Sequence, residues 1–147
     1  MTTLLQRQFT VDVALPRAWE HLARIEAWPS WAAHIKRIEL RPAGAPLGRE
    51  SSGVIHLSRW LKPEFRMTEF DLPRNWKWAS PFLWLTVIYD HQFEALDAAH
   101  TRLTWVIEAQ GFGASVLGPL FARIYRRHLD RAIPRLVAEM NANPANE

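Results

Sequence analysis

The sequence predicts an α+β domain in which a meandering sheet grips one long carboxy-terminal helix. Three observations carry this. Period-two alternation recurs in several segments between residues 8 and 109, interrupted early by short helical spacing. It ends at Gly111-Phe112-Gly113. From about Ser115 to Met140, apolar residues then recur at spacings of three and four. That order of elements tends to leave a hollow between sheet and helix, so the expected task is holding an apolar small molecule.

Phe9, Val11 and Val13 alternate with Gln8, Thr10 and Asp12 to make the first strand. Pro16 follows, and proline suits a helix's first turn because its missing N–H leaves nothing unpaired there. Trp19, Leu22, Ala23 and Ile25 continue at helical spacing, until Ala27-Trp28-Pro29-Ser30-Trp31 breaks that helix and opens a second short one to about Ala33. Ile35 to Leu40 reads as a strand, Arg41 to Gly48 as a loop, and Glu50 to Ser58 as another strand. Trp60-Leu61-Lys62-Pro63 turns the chain into the alternating run Phe65 to Phe70, which Pro73 closes. Asn75 to Ala79 is a short tryptophan-rich strand stopped by Pro81. Leu85, Val87, Tyr89, His91 and Phe93 share one face of a long strand, with Asp90, Gln92 and Glu94 on the other. Asp97-Ala98-Ala99-His100 turns the chain into Leu103, Trp105, Ile107 and Ala109, again on one face.

The terminal helix carries Leu117, Leu120, Phe121, Ile124, His128, Ala132, Leu136 and Met140 as a stripe. Its large apolar groups are each worth about 1.5–3 kcal/mol if fully buried, so docking this helix supports the fold. Pro134 inside it removes a hydrogen bond at a cost of about 3 kcal/mol, which predicts a kink near Asp130 to Ala132. No repeat or linker divides the chain, and one domain over residues 1–147 is expected.

Composition narrows the function. With 147 residues, 48% hydrophobic and 22% charged, the chain suits one soluble domain large enough for a core and a cavity. No apolar run approaches the roughly 20 residues that cross a bilayer. Met1 to Arg7 lacks the features of a secretory signal, which predicts a cytoplasmic location. Without cysteine there are no disulfides, thiol nucleophiles or thiolate metal sites. His21, His34, His56, His91, His100 and His128 show no paired metal-binding spacing, and neither a phosphate-cradling glycine loop nor a Gly-x-Ser-x-Gly elbow occurs. No metal and no cofactor are therefore expected. The 18 Lys and Arg against 15 Asp and Glu give a net charge of +3. The densest basic cluster is Arg123, Arg126, Arg127, Arg131 and Arg135 on the final helix. Asp130, four residues after Arg126, fits a solvated face; the alternative is weak docking on an anionic membrane surface or acidic partner. No basic-aromatic signature points to nucleic acid.

Several runs together resemble a known family. Val11-Asp12-Val13-Ala14-Leu15-Pro16-Arg17-Ala18-Trp19-Glu20-His21-Leu22 joins a strand, a proline and a helix with a tryptophan, and Trp28-Pro29-Ser30-Trp31 follows. Met67-Thr68-Glu69-Phe70-Asp71-Leu72-Pro73-Arg74 is a strand ending in an acidic-proline-arginine turn. Thr101-Arg102-Leu103-Thr104-Trp105 then precedes the long helix. In this order the motifs resemble the START-like (SRPBCC) superfamily, the polyketide cyclase/dehydrase and lipid-transport proteins, over nearly the whole chain. His100 stands where that family usually has glycine, a departure that touches turn geometry alone. The resemblance implies a helix-grip fold: a curved antiparallel sheet of about seven strands wrapped around the carboxy-terminal helix, with two short helices after the first strand. It also implies a cavity for lipids, sterols or polyketides. Carriers and cyclases share the fold, so no single reaction follows from it.

If the sheet's dry face points at the helix, Phe65, Met67, Trp76, Trp78, Tyr89, His91, Phe93, Leu103 and Trp105 face inward. Leu117, Phe121, Ile124 and His128 meet them from the helix. An apolar wall with a few polar tips is the make-up of a small-molecule site. His91 and His128 could hydrogen-bond a ligand oxygen or move a proton near neutral pH, although inward histidines are commonly tied to backbone carbonyls. Tyr89, about 6–7 Å from His91 along one strand face, and Glu69 complete the acid–base candidates; Glu69 also suits an ion pair with Arg66 or Arg74. The eight tryptophans either pack the core or line a chamber. The leading expectation is binding or carriage of a hydrophobic small-molecule ligand. The alternatives are a polyketide cyclase or dehydratase using His91, Tyr89 or Glu69, and an interaction module docking through the arginine-rich helix face.

Overall fold

The computed structural model describes residues 2–142. Strand β1 (Thr2–Val11) leads into helix α1 (Leu15–Ala23) and a 3-10 helical segment (Ile25–Ser30). Six strands follow: β2 (Arg37–Arg41), β3 (Ser52–His56), β4 (Glu64–Asp71), β5 (Asn75–Phe82), β6 (Leu85–Asp97) and β7 (His100–Gln110). Helix α2 (Ala114–Ala142) closes the described chain. The strands form one antiparallel, curved sheet in the order β1-β7-β6-β5-β4-β3-β2, against which α2 packs. The expected helix-grip architecture is present.

Three differences from the sequence reading have a clear physical reason, while the other strands shift by only a few residues at their ends. β1 begins six residues earlier, because its partner β7 extends to Ala109 and a bulge between Thr3 and Leu5 restores the pleat. β5 runs through Pro81 instead of stopping before it: backbone pairing with β4 ends at Ala79, so the missing N–H breaks no ladder on that side. The second short helix is the 3-10 segment starting at Ile25, three residues ahead of Trp28, with Pro29 inside it.

The buried line on α2 is Ala114, Gly118, Phe121, Ala122, Leu129, Ala132, Leu136 and Met140. Leu120 and Ile124, placed in the inward stripe by their spacing, are instead more than half exposed. The reason is small residues. A Cβ at Gly118 would run into Leu4 of β1, so glycine and Ala122 let the helix sit close to the sheet. With Gly118 and Ala122 against β1, Leu120 and Ile124, each two residues away, point about 200° around the helix from that contact. Pro134 does not interrupt the helix; the carbonyl it frees belongs to Asp130, an exposed residue.

Polar ties to α2 are confined to its carboxy-terminal half. Arg7 Nε donates to Asp130 at 3.2 Å, Ser30 Oγ to Glu139 at 2.8 Å, and the Asp12 N–H to Asn141 Oδ1 at 2.8 Å. His21 Nε2 lies 2.8 Å from Glu139. Among the described residues no side-chain hydrogen bond joins residues 114–128 to the sheet. Apolar contacts hold that half, such as Phe82 against Phe121 at 5.0 Å between centroids.

Candidate ligand-binding site

Strand pairing assembles the inner wall. Trp76 lies opposite His91, and His91 opposite Trp105; one step along, Trp78 lies opposite Tyr89, and Tyr89 opposite Ile107. Because side chains alternate across the pleat, these residues share the face turned toward α2. His91 sits under four indoles, with ring centroids 5.0 Å from Trp76, 4.8 Å from Trp78, 5.8 Å from Trp28 and 6.2 Å from Trp105. Its Nδ1 lies 3.3 Å from the Trp76 carbonyl, the geometry of an N–H donating to that oxygen. Burial lowers its pKa to about 4, against the opposing pull of that bond.

The hollow expected between the layers is far smaller than a ligand chamber. A void of about 40 Å³ lies among Trp28, Trp31, His34, Tyr89, His91, Trp105, Tyr125 and Leu129. That is room for about one water, where small-molecule pockets span roughly 300–1,000 Å³. The indoles of Trp19, Trp28, Trp31, Trp76, Trp78 and Trp105, each at most 8% exposed, occupy the rest. Most of the tryptophans are therefore core, while Trp60 and Trp84 point into solvent.

The void's walls carry polar atoms without partners. Trp105 Nε1 and His34 Nε2 are both buried and unbonded, as is Trp76 Nε1 deeper in the core. Such an orphan costs about 1–3 kcal/mol. At the rim His34 stacks on His128, with centroids 4.4 Å apart and planes 12° apart. Burial, then the neighbouring His128, lowers His34 to about 4. His128 is also lowered, by burial and then by Arg131. Tyr89 and Tyr125, with ring centroids 6.0 Å apart, are both raised by burial, Tyr125 to about 12, so both stay protonated donors.

The expected site residues divide accordingly. Tyr89, His91 and Trp105 meet at the void and His128 reaches its rim. Phe65, Met67, Trp76, Trp78, Phe93 and Leu103 are buried in the surrounding core. Phe121 is buried against Phe82 and Tyr125, away from the void. Leu117 packs in a separate small cluster with Leu85, Ala109 and Ala114. Ile124 faces solvent. Glu69 lies on the sheet's outer face, where its carboxylate accepts from Asn75 Nδ2 at 2.8 Å and pairs with Lys77 at 3.9 Å, so it takes no part in interior chemistry. Arg74 pairs with Asp71 instead. Missed by the sequence reading were Trp28, Trp31, His34, Tyr125 and Leu129. The helical pair was detectable: Phe121, Tyr125 and Leu129 recur every four residues, one position out of phase with the stripe through Ile124.

A larger concavity, an open groove of about 810 Å³, lies between α1, the 3-10 segment, the β2–β3 connection and the end of β4. Trp19, Ile25, Leu40, Leu47, Phe70 and Leu72 floor it, and its Glu20 and Arg24 pair with each other at 3.1 Å. Unlike the void, it has no orphaned buried donor or acceptor among its described residues.

Fold and site define a helix-grip protein with an aromatic interior. The chain belongs to the family described as polyketide cyclase/dehydrase and lipid transport, matching it over residues 2–141. Solved structures agree on the fold. A hypothetical protein of Helicobacter pylori, jhp0584, has a TM-score of 0.75 at 15% identity, covering 92% of this chain and 86% of that one. TTHA0849 from Thermus thermophilus has 0.70 at 11% identity, covering 96% and 99%. Zhui aromatase/cyclase from Streptomyces sp. R1128 has 0.66 at 16% identity, covering 95% and 93%. At these identities the likeness shows the fold alone. No curated protein matches the chain in sequence.

Proposed function

We propose that the protein binds an apolar, lipid-, sterol- or polyketide-like molecule through an oxygen placed at the void, with Trp105 Nε1 donating to it. Family and fold support a hydrophobic ligand-binding role at the coarser level. The observation that carries the finer reading is the pair of orphaned nitrogens, on Trp105 and His34, in the wall of one mostly apolar void. A carbonyl, hydroxyl or carboxylate oxygen fits the space and meets the unmet donor. The ligand's apolar remainder needs the amino-terminal half of α2 to move, and that half has no side-chain hydrogen bond to the sheet among the described residues. Turnover is less well supported. His91, packed among four indoles at the wall of the void and with its pKa lowered to about 4 by burial, is a weak base.

Trp105→Phe tests this reading, since it keeps an aromatic ring and removes the donor. Fatty acids, sterols and flat polyketides are titrated against intrinsic fluorescence, with native mass spectrometry of the purified protein alongside. Affinity for an oxygen-bearing ligand is expected to fall about tenfold in the variant, while stability holds or rises because an orphan is removed. Unchanged affinity in Trp105→Phe, or no response to any ligand class in the native protein, would overturn the assignment.

A further inference from the structure

One end of the molecule is unusually apolar on its outside. The β3–β4, β5–β6 and β7–α2 connections all lie at that end, since Val54 pairs with Glu64, Phe82 with Leu85, and Thr86 with Gln110. Phe112 is 90% exposed, Trp60 87% and Val116 79%, and Leu61, Leu83 and Trp84 are each more than half exposed. Trp84 Nε1 donates to the Phe112 carbonyl at 2.7 Å, joining two of the three tips. Leu83 stands at φ 57, where asparagine or glycine is cheaper, yet its side chain gains no burial there. A local rule is broken to hold an apolar group in solvent, which marks a contact surface.

Charge names the partner. The three connections, residues 57–63, 83–84 and 111–113, contain no aspartate or glutamate and carry Arg59 and Lys62, with Glu64 the acidic residue next to them; Arg123, Arg126 and Arg127 follow along the amino-terminal half of α2. None of these five has an acidic partner among the described residues. Arg59 lies over the Trp60 ring at 5.5 Å. Exposed aromatic and aliphatic tips, with unpaired cations beside Trp60 and along the adjoining helix, are the composition of interfacial membrane contacts.

We infer that this end docks on an anionic lipid bilayer, with Trp60, Leu83, Trp84 and Phe112 entering the headgroup region and the arginines meeting lipid phosphates. The surface is separate from the interior void, so the inference stands apart from the proposed ligand site.

The test is co-sedimentation of the full chain with equimolar phosphatidylcholine–phosphatidylglycerol vesicles, against phosphatidylcholine alone. Binding to the mixed vesicles at low salt is expected, weakening as salt rises. Phe112→Ser and Trp60→Ser each reduce it by about tenfold or more. The combined Arg123→Gln, Arg126→Gln, Arg127→Gln variant reduces it on the order of a hundredfold. Leu83→Asn weakens binding while raising the melting temperature, which separates docking from folding. Ligand titration is unchanged in Phe112→Ser. Absence of binding to mixed vesicles at low salt, or full binding by Phe112→Ser, overturns the inference. So does self-association in sedimentation velocity that Phe112→Ser abolishes while vesicles stay unbound, because the patch would then join two copies of the chain.

Discussion

Replacing Trp76 with alanine is expected to lower stability by about 3–5 kcal/mol, a large share of the total for a domain of this size. Trp76 is fully buried and sits among rings from three parts of the chain: Trp19 of α1 at 5.0 Å, Trp78 at 6.4 Å on its own strand, and His91 and Phe93 of β6 at 5.0 and 5.6 Å. Alanine removes the whole indole from a close-packed interior and leaves a cavity that stiff neighbouring rings collapse into poorly. Trp76→Phe is expected to cost much less. It keeps most of the apolar contact and deletes Nε1, an unmet buried donor that itself costs about 1–3 kcal/mol. Urea unfolding of both variants, read as a shift in midpoint at constant slope, distinguishes these outcomes. Equal losses in the two variants would mean that the indole nitrogen is satisfied in solution, by a water or a guest.

Acid is expected to destabilise the protein between about pH 6.5 and pH 4. His91 has its pKa lowered from 6.5 to about 4, chiefly by burial. Above pH 6.5 the imidazole is neutral in both the folded and unfolded chains, and the full stability is present. Below it the unfolded chain binds a proton that the folded chain refuses, so stability falls as pH falls, and the loss is complete once the pH has dropped through the folded pKa. Each tenfold change in proton affinity corresponds to about 1.4 kcal/mol, which makes the His91 contribution roughly 3 kcal/mol. His34 acts in the same direction, through burial first and His128 second. On the exposed β6–β7 turn, His100 acts in the opposite direction: Asp97 raises its pKa, so that contribution is present at low pH and fades as pH rises through the folded value. Thermal melting from pH 7 to pH 4.5 is expected to show a steady drop, with a shallower slope in His91→Gln. A flat profile in the native protein, or identical slopes in both proteins, would show that His91 takes its proton without opening the core. Since His34 and His91 both line the void, the same acid step loosens the region where a guest would enter.

Much of the fold was legible because strand pleating and helix spacing write themselves into the order of polar and apolar residues. Alternation through Leu85, Val87, Tyr89, His91 and Phe93 identified the inner face of β6, and the matching run through Leu103, Trp105 and Ile107 identified that of β7. The phase of α2 was harder to read. Leu120 and Ile124 look like core by hydrophobicity, yet the contact with β1 runs along Gly118 and Ala122. Small residues set how near a helix can come to a sheet, and a count of large apolar groups passes over them. His34 escaped notice for a different reason: it lies in an irregular connection, where no period says which way a side chain points.

By itself the sequence determined the class of architecture, the element order and the aromatic character of the interior, which follow from local periodicity and composition, and it pointed to the family through the resemblance of its motifs. Tertiary structure alone decided how much of that interior is empty, which nitrogens go unmet, and that three distant turns bring their exposed rings to one end. Volume, hydrogen-bond satisfaction and surface adjacency depend on distances between residues far apart along the chain, and no local pattern encodes them.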